Sequence, residues 1–343
     1  MKAAIIHAAR DLRIGDAGIP PLGPRDVQVR VRAGGICGSD LHYYRHGGFG
    51  AVRLREPMVL GHEIAGEVLA IGAEVTRVRA GDRVAVDPSR PCGGCAYCLE
   101  GKPRHCLDMR FLGSAMRFPH VQGGFREVLV CTEAQAVPVP AGLPLEHVAF
   151  AEPLAVCLHG ASQAGPLQGR RVLVTGTGPI GALSILVARH ARAREVVATD
   201  LEDAPLALAR RIGADLALNT RADPGALDRF GAGKGHFDVV FEASGSGAAL
   251  AAALQAARPG AVVVQLGLGG DVPLPVNVLV AKEIQLRGTF RFDREFELAA
   301  GLIASGAIQV APLLTEVVPL DEAVRAFELA GDRSRAMKVQ LAL

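Results

Sequence analysis

The sequence predicts an α/β protein in two parts, a short-stranded β domain over residues 1–150 completed by 288–343, and a doubly wound parallel-sheet domain over 151–287. Three observations predict this. The first 150 residues carry period-two apolar segments with Gly and Pro between them, the texture of a barrel or sandwich of short strands. From residue 151, buried-strand and helical segments alternate, as a parallel sheet with crossover helices requires. After about residue 288 the pattern turns mixed again and ends in the strand-like MKVQLAL. A sheet domain inserted into a barrel domain fits this order; two sequential domains with a C-terminal helical extension is the alternative.

The elements follow in order. VQVRVRAGG (Val27–Gly35) alternates with period two, and EIAGEVLAIG and DRVAVDP repeat the texture. AEPLAVCLHGASQAG reads as a helix. Arg171–Thr175 is a buried strand, Pro179–Ala193 a helical run, and Glu195–Asp200 the next strand. Pro205–Gly213 is a helix closing on glycine, and Ala214–Leu218 a short strand. Phe237–Ala243, Ala248–Ala257 and Ala261–Leu266 continue as strand, helix and strand.

Composition narrows the function classes. A length of 343 residues suits about two domains. With 50% hydrophobic and 21% charged residues the chain is folded rather than disordered. Lys+Arg 37 against Asp+Glu 35 argues against nucleic acid as a partner, which needs a concentrated basic patch. No stretch reaches the ~20 apolar residues that cross a bilayer, and the N-terminus has no signal-peptide core, so a cytoplasmic protein with no membrane partner is expected.

The strand RVLVT runs into Gly176-Thr-Gly178-Pro179-Ile180-Gly181 and then a helix, and Asp200 ends the next strand. Gly176 permits a tight turn, Gly178 lets backbone approach a pyrophosphate, and Gly181 lets the helix pack on the strand. The helix N-terminus supplies N–H groups to the phosphates. Asp200 suits the ribose hydroxyls and would repel a 2′-phosphate, and no Arg stands in the residues just after it. NAD is therefore the expected cofactor, ahead of NADP.

Four of the seven Cys form one short lobe: Cys92, Cys95, Cys98 and Cys106, spaced C-x2-C-x2-C-x7-C. Four thiolates suit a closed tetrahedral zinc that braces a loop; an iron–sulfur cluster is the rival. A cytoplasmic compartment argues against disulfides. Cys37 in GGICGSDLHYY, His62 and Glu63 in LGHE, and Glu152 in AEPLAV are the ligand types of a catalytic zinc with an open position. Alone, each reads as a packed or surface residue; beside a nicotinamide site they read as a set. Cys131 and Cys157 read as small apolar packers.

GHE-x2-G, the four-cysteine lobe and the late GTGPIG together resemble the zinc-dependent medium-chain dehydrogenases, across essentially the whole chain. The resemblance implies a GroES-like β-barrel catalytic domain with an inserted Rossmann domain, and two zinc ions per chain, one catalytic and one structural. GGICGSDLHYY, PMVLGHE, AEPLAV and RGTFRF are similar to the polyol (sorbitol/xylitol) branch. DMRFLGSAMRFPHVQGGF and GDRSRAMKVQL resemble a bacterial subfamily of that branch that oxidises an aldonate at C5. A small-molecule aldonate or polyol substrate is thus implied, with a homodimer or homotetramer pairing through sheet edges near Val272–Arg287.

The resemblance also implies roles. Cys37 and His62 are zinc ligands, with Glu63 or Glu152 completing the set. Ser39 touches the reacting oxygen and His42 relays its proton, for which an ordinary imidazole pKa of about 6.5 is suited. Tyr43 positions substrate hydroxyls. An aldonate carboxylate needs a cation, and the bidentate fork of Arg suits it. Arg291 in TFRF is the first choice; Arg110 and Arg117, which flank the distinctive segment, are further candidates, and each also reads as an ordinary surface residue.

Overall fold

Strand Asp26–Gly35 is the hub of the first sheet in this computed structural model, which describes residues 1–343. Its alternation buries Val27, Val29 and Val31 completely while Arg30 and Arg32 face solvent. One edge pairs antiparallel with Glu63–Ile71. The other edge takes Val128–Thr132 along its first half and Lys338–Ala342 along its second. Arg83–Val86, Ala136–Val139 and Leu314–Pro319 complete seven strands. A separate three-stranded sheet joins Lys2–Ala8 to Asp11–Asp16 and Met58–Val59. The C-terminal strand thus returns to the N-terminal sheet, in register Gln340 to Gly35.

The second sheet has six strands, all parallel, in the spatial order Leu216–Asn219, Glu195–Asp200, Arg171–Thr175, Phe237–Glu242, Ala257–Gln265, Gln285–Gly288. Chain order reverses between Arg171–Thr175 and Phe237–Glu242, which opens a crevice at their carboxyl ends. Both faces are covered, so central strands read as continuous apolar runs: Val172, Leu173, Val174 and Val196, Val197, Ala198 are fully buried. Helices Pro179–His190 and Asp203–Arg211 cover one face, and Gly247–Ala256 covers the other. The helix Ala151–Ala164 shares a core with both sheets through Leu154, Ala155 and Ala33.

One strand starts earlier than its pattern suggests. Ala257–Gln265 begins directly after the helix, with Arg258-Pro259-Gly260 inside it. Its pairing with Phe237–Glu242 shifts register between Phe237 and Val239, and that irregularity accommodates the proline. No helix is long and apolar enough to cross a membrane.

Candidate active site

Three strand ends meet at one place. Gly35 pairs with Glu63 on one side and Gln340 on the other, so the residues just beyond, Cys37, His62 and Lys338, converge. The ligand atoms of Cys37, His62 and Glu63 lie within 4.8 Å of one another. His62 is 4% exposed, and its Nδ1 is buried with no hydrogen-bond partner. Asp40 is fully buried and accepts N–H bonds from Cys37 at 3.0 Å and Gly61 at 3.2 Å, tying together the two loops that carry ligands. A thiol, a carboxylate and a buried imidazole with an unpartnered nitrogen fit a zinc ion with an open position.

The two carboxylates differ. Glu63 is held from behind: buried Lys338 donates to the Ile36 carbonyl at 3.1 Å and to Glu63 Oε1 at 2.5 Å, and contacts the other oxygen. A side chain at Gly35 would collide with that carboxylate. Glu152 enters from the first turn of helix Ala151–Ala164 and stands outside the three-residue group. Burial pushes its carboxyl up to about 7, against the pull of His62, with the charge of Glu63 adding to the shift.

Cys37 is the N-cap of helix Gly38–His46. Ser39, His42 and Tyr43 are spaced i, i+3, i+4 and share one face of it. The His42 ring lies 6.1 Å from His46 and 5.9 Å from Phe49. Partial desolvation, with His46 and Arg45 nearby, lowers its pKa below the ordinary value expected from sequence. The imidazole is therefore neutral at neutral pH and able to accept a proton. Tyr43 is 2% exposed, and its hydroxyl accepts the Ala115 N–H at 2.9 Å. That bond ties the buried Tyr43 to the distinctive DMRF…FPH segment.

The three arginines separate clearly. The Arg291 guanidinium lies 4.1 Å over the Phe111 ring and 4.9 Å over Phe290, with Met116 Sδ at 3.2 Å. Phe111 stands 5.6 Å from the His62 ring, so one aromatic ring separates the cation from a metal-ligand candidate. No carboxylate pairs with Arg291, and its backbone is left-handed at φ 52°. Arg117 is instead ion-paired with Asp108, so its charge is already met. Arg110 is exposed on the two-residue strand Arg110–Phe111.

The four-cysteine lobe forms as its spacing suggests. The sulfurs of Cys92, Cys95, Cys98 and Cys106 lie within 4.8 Å of one another, with Cys95 and Cys98 at 3.6 Å. The N–H groups of Cys92 and Asp108 point at the Cys106 sulfur at 3.1 and 3.3 Å. Backbone N–H bonds, from Leu107 first and then Cys98, bring the Cys95 thiol down to about 6. Four sulfurs this close, two of them receiving backbone N–H groups, fit a closed zinc site.

At the crevice of the parallel sheet, Gly176 has φ 79°, and a side chain there would meet Ser244 Cα at 2.8 Å. Gly181 sits against the Gly176 carbonyl with no room for a Cβ. Gly178 caps the helix, Pro179 is its first residue, and no side chain satisfies the helix N-terminus. Ile180 offers its carbonyl to Ser184 at 2.9 Å and to Cys157 at 3.4 Å, which confirms Cys157 as an inward packer. This cradle fits a dinucleotide pyrophosphate. Asp200 accepts Thr177 N–H at 2.7 Å and Oγ1 at 3.0 Å, bracing the glycine loop from the next strand.

Several residues at the site escaped sequence reasoning. Asp40 and Lys338 are brought in by strand pairing. A lone lysine in the apolar MKVQLAL was a signal for Lys338, since only five lysines occur. Arg333 overhangs Gly178 from the C-terminal segment. Arg221, beyond the end of Leu216–Asn219, pairs with Glu202 at 2.8 Å. An arginine therefore does stand near the ribose end of the cleft, reached across the sheet rather than along the chain.

Two zinc-ligand clusters and a dinucleotide cradle on a GroES-like barrel with an inserted Rossmann sheet define a class, and the comparisons agree. The family model "Alcohol dehydrogenase GroES-like domain" matches residues 23–141, and "Zinc-binding dehydrogenase" matches 179–305. The chain belongs to the zinc-dependent medium-chain alcohol dehydrogenases, in their polyol dehydrogenase branch. It is 45% identical to L-idonate 5-dehydrogenase (NAD(P)(+)) of Escherichia coli K12, over 91% of this chain and 90% of that one. It is 34% identical to sorbitol dehydrogenase of Bacillus subtilis, over 96% and 93%. The crystal structure of the E. coli L-idonate 5-dehydrogenase superposes with TM-score 0.96 at 41% identity, covering 100% of this chain and 98% of that one. The protein is an oxidoreductase that uses zinc and NAD(P).

Proposed function

We propose that this enzyme oxidises C5 of an aldonate, L-idonate, giving 5-keto-D-gluconate and NADH. One observation carries the reading: Arg291 is a half-buried cation close to the metal cluster with no acid to neutralise it. Burial lowers it to about 10, still charged at neutral pH, and Glu152 opposes that drop. An unpaired guanidinium packed against aromatic rings leaves its charge open to a ligand's carboxylate, and a left-handed arginine is held there against about 1–3 kcal/mol of strain. The aldonate carboxylate supplies that charge while its C5 hydroxyl reaches the Cys37–His62 cluster. Similarity to an L-idonate dehydrogenase supports the same reading.

Bound zinc supplies Lewis acidity to a secondary alcohol, and bound nicotinamide accepts the hydride. Cys37 and His62 would hold the metal, with Glu63 or Glu152 completing its set. Ser39 hands the hydroxyl proton to neutral His42, which releases it at the exposed end of the helix face. Phe111 and Phe290 pack against the Arg291 guanidinium and orient it. NAD is preferred over NADP because Asp200 lines the ribose end and Glu202 already neutralises Arg221.

The domain boundaries fall near residues 150 and 288, and the protein works in the cytoplasm as a homodimer or homotetramer. Exposed Val276, Val280 and Leu286, on the helix Val276–Lys282 and the edge strand after it, support an interface there. Light scattering in solution tests the assembly.

The neutral-polyol alternative, a sorbitol/xylitol-type enzyme, is decided by kinetics. Arg291→Ala should raise KM for L-idonate at least about tenfold, the weight of a charge-assisted hydrogen bond, and leave KM for sorbitol nearly unchanged. Faster turnover of sorbitol than of L-idonate by the unaltered enzyme would overturn the aldonate assignment.

A further inference from the structure

The four-cysteine lobe touches the segment that carries Arg291 at two points that bracket it. The Arg104 N–H donates to Asp293 Oδ1 at 2.8 Å, and its guanidinium pairs with the other oxygen. Both side chains are only 18% exposed. The His105 ring stacks on Phe290, 6.1 Å between centroids with the planes 15° apart. Residues 290 and 293 are thus pinned to the lobe, and Arg291 and Phe292 lie between the pins. Phe292 is buried against Phe296.

The clamp continues inward. The Asp293 N–H donates to Glu295 Oε2 at 2.9 Å, and Glu295 Oε1 meets His159 Nδ1 at 3.0 Å. His159 lies on the helix whose first turn carries Glu152. The outward part of the lobe packs poorly: Leu99 is 77% and Leu107 70% exposed. Its order therefore depends on its four sulfurs rather than on an apolar core, and whatever it grips depends on them in turn.

We propose that the lobe is a positioning element for the substrate cation. Arg104 and Asp293, with the His105–Phe290 stack, hold residues 290–293 so that Arg291 keeps its left-handed backbone and its place over Phe111. Arg104 and Asp293 are positioning residues: neither reaches the reacting atoms. The consequence for substrate rests on the assignment of Arg291 to the aldonate carboxylate, whereas the clamp itself does not.

Arg104→Met in the zinc-loaded enzyme tests it, with Arg104→Lys as the conservative control. Amide hydrogen exchange should rise about tenfold (1.4 kcal/mol) in residues 289–294, while strand 171–175 and the metal content stay as they were. KM for L-idonate should rise several-fold with kcat and KM for NAD little changed, and Arg104→Lys should recover part of the loss. Unchanged exchange in 289–294, or a rise spread through strand 171–175 as well, would overturn the clamp. Arg291→Ala separates the two ideas. If it spares KM for L-idonate, the carboxylate assignment falls while exchange still decides the clamp. If it raises that KM and Arg104→Met does not, the lobe has no part in positioning.

Discussion

Lys338 is 3% exposed and carries a full charge into the core beside Glu63. Removing it takes away the direct ion-pair partner of the buried Glu63 carboxylate. Lys338→Met should therefore cost about 3–5 kcal/mol of unfolding free energy, read from urea denaturation, with Lys338→Arg less damaging. Glu295 gives a pH signature. Burial alone would raise its carboxyl, but the His159 hydrogen bond and the Asp293 N–H outweigh that and bring it down to about 2 from an ordinary 4.5. A lowered folded-state pKa contributes stability that is full above the unfolded value and is lost as pH falls toward 2. Glu295→Gln should flatten the acid limb of stability between about pH 5 and pH 2 in thermal melts. Residue roles were legible where chemistry is rare in sequence, as at Cys37 and His62. They were not legible at Asp40 or Lys338, whose meaning comes from strands far apart in the chain.

At the scale of elements, the parallel-sheet strands are legible because both faces are buried, and a continuous apolar run between turn residues has few other uses. Arg171–Thr175 and Glu195–Asp200 form with the bounds their sequence suggests. Ala257–Gln265 was less legible, since Arg258-Pro259-Gly260 falls between the paired residues Ala257 and Val262, with Gly260 left-handed at φ 71°. The fingerprint loop is the element most exposed to a single change. A Cβ at Gly181 would strike the Gly176 carbonyl and push the helix from its strand. Gly181→Ala should weaken NADH binding by about fivefold or more, through overpacking of about 1–3 kcal/mol. Titration by NADH fluorescence reads this cleanly, because the chain has no Trp. Zinc content should not change.

At the scale of the molecule, two metal clusters stand on different foundations. The Cys37–His62–Glu63 group is built on three paired strands, and the four-cysteine lobe on an exposed loop. Metal analysis should find two zincs per chain. Cys37→Ser should retain one zinc and near-native melting while losing activity. Cys98→Ser should lose the other zinc and melt several degrees lower, consistent with roughly 1–2 kcal/mol in a chain of this size.

The sequence by itself determined the fold class, the glycine fingerprint and the four-cysteine lobe, because each depends on local spacing, whereas Cys37, His62, Glu63 and Glu152 stood in it only as ligand types with the choice of glutamate open. Only the tertiary structure decided which charges are already satisfied. Arg117 is met by Asp108, Arg221 by Glu202 and Glu63 by Lys338, while Arg291 has no acid partner. Ion pairing acts through space between segments as distant as residues 63 and 338, and no local pattern encodes it. That Arg291 stands near the metal cluster without an acid partner therefore becomes visible only when the chain is folded.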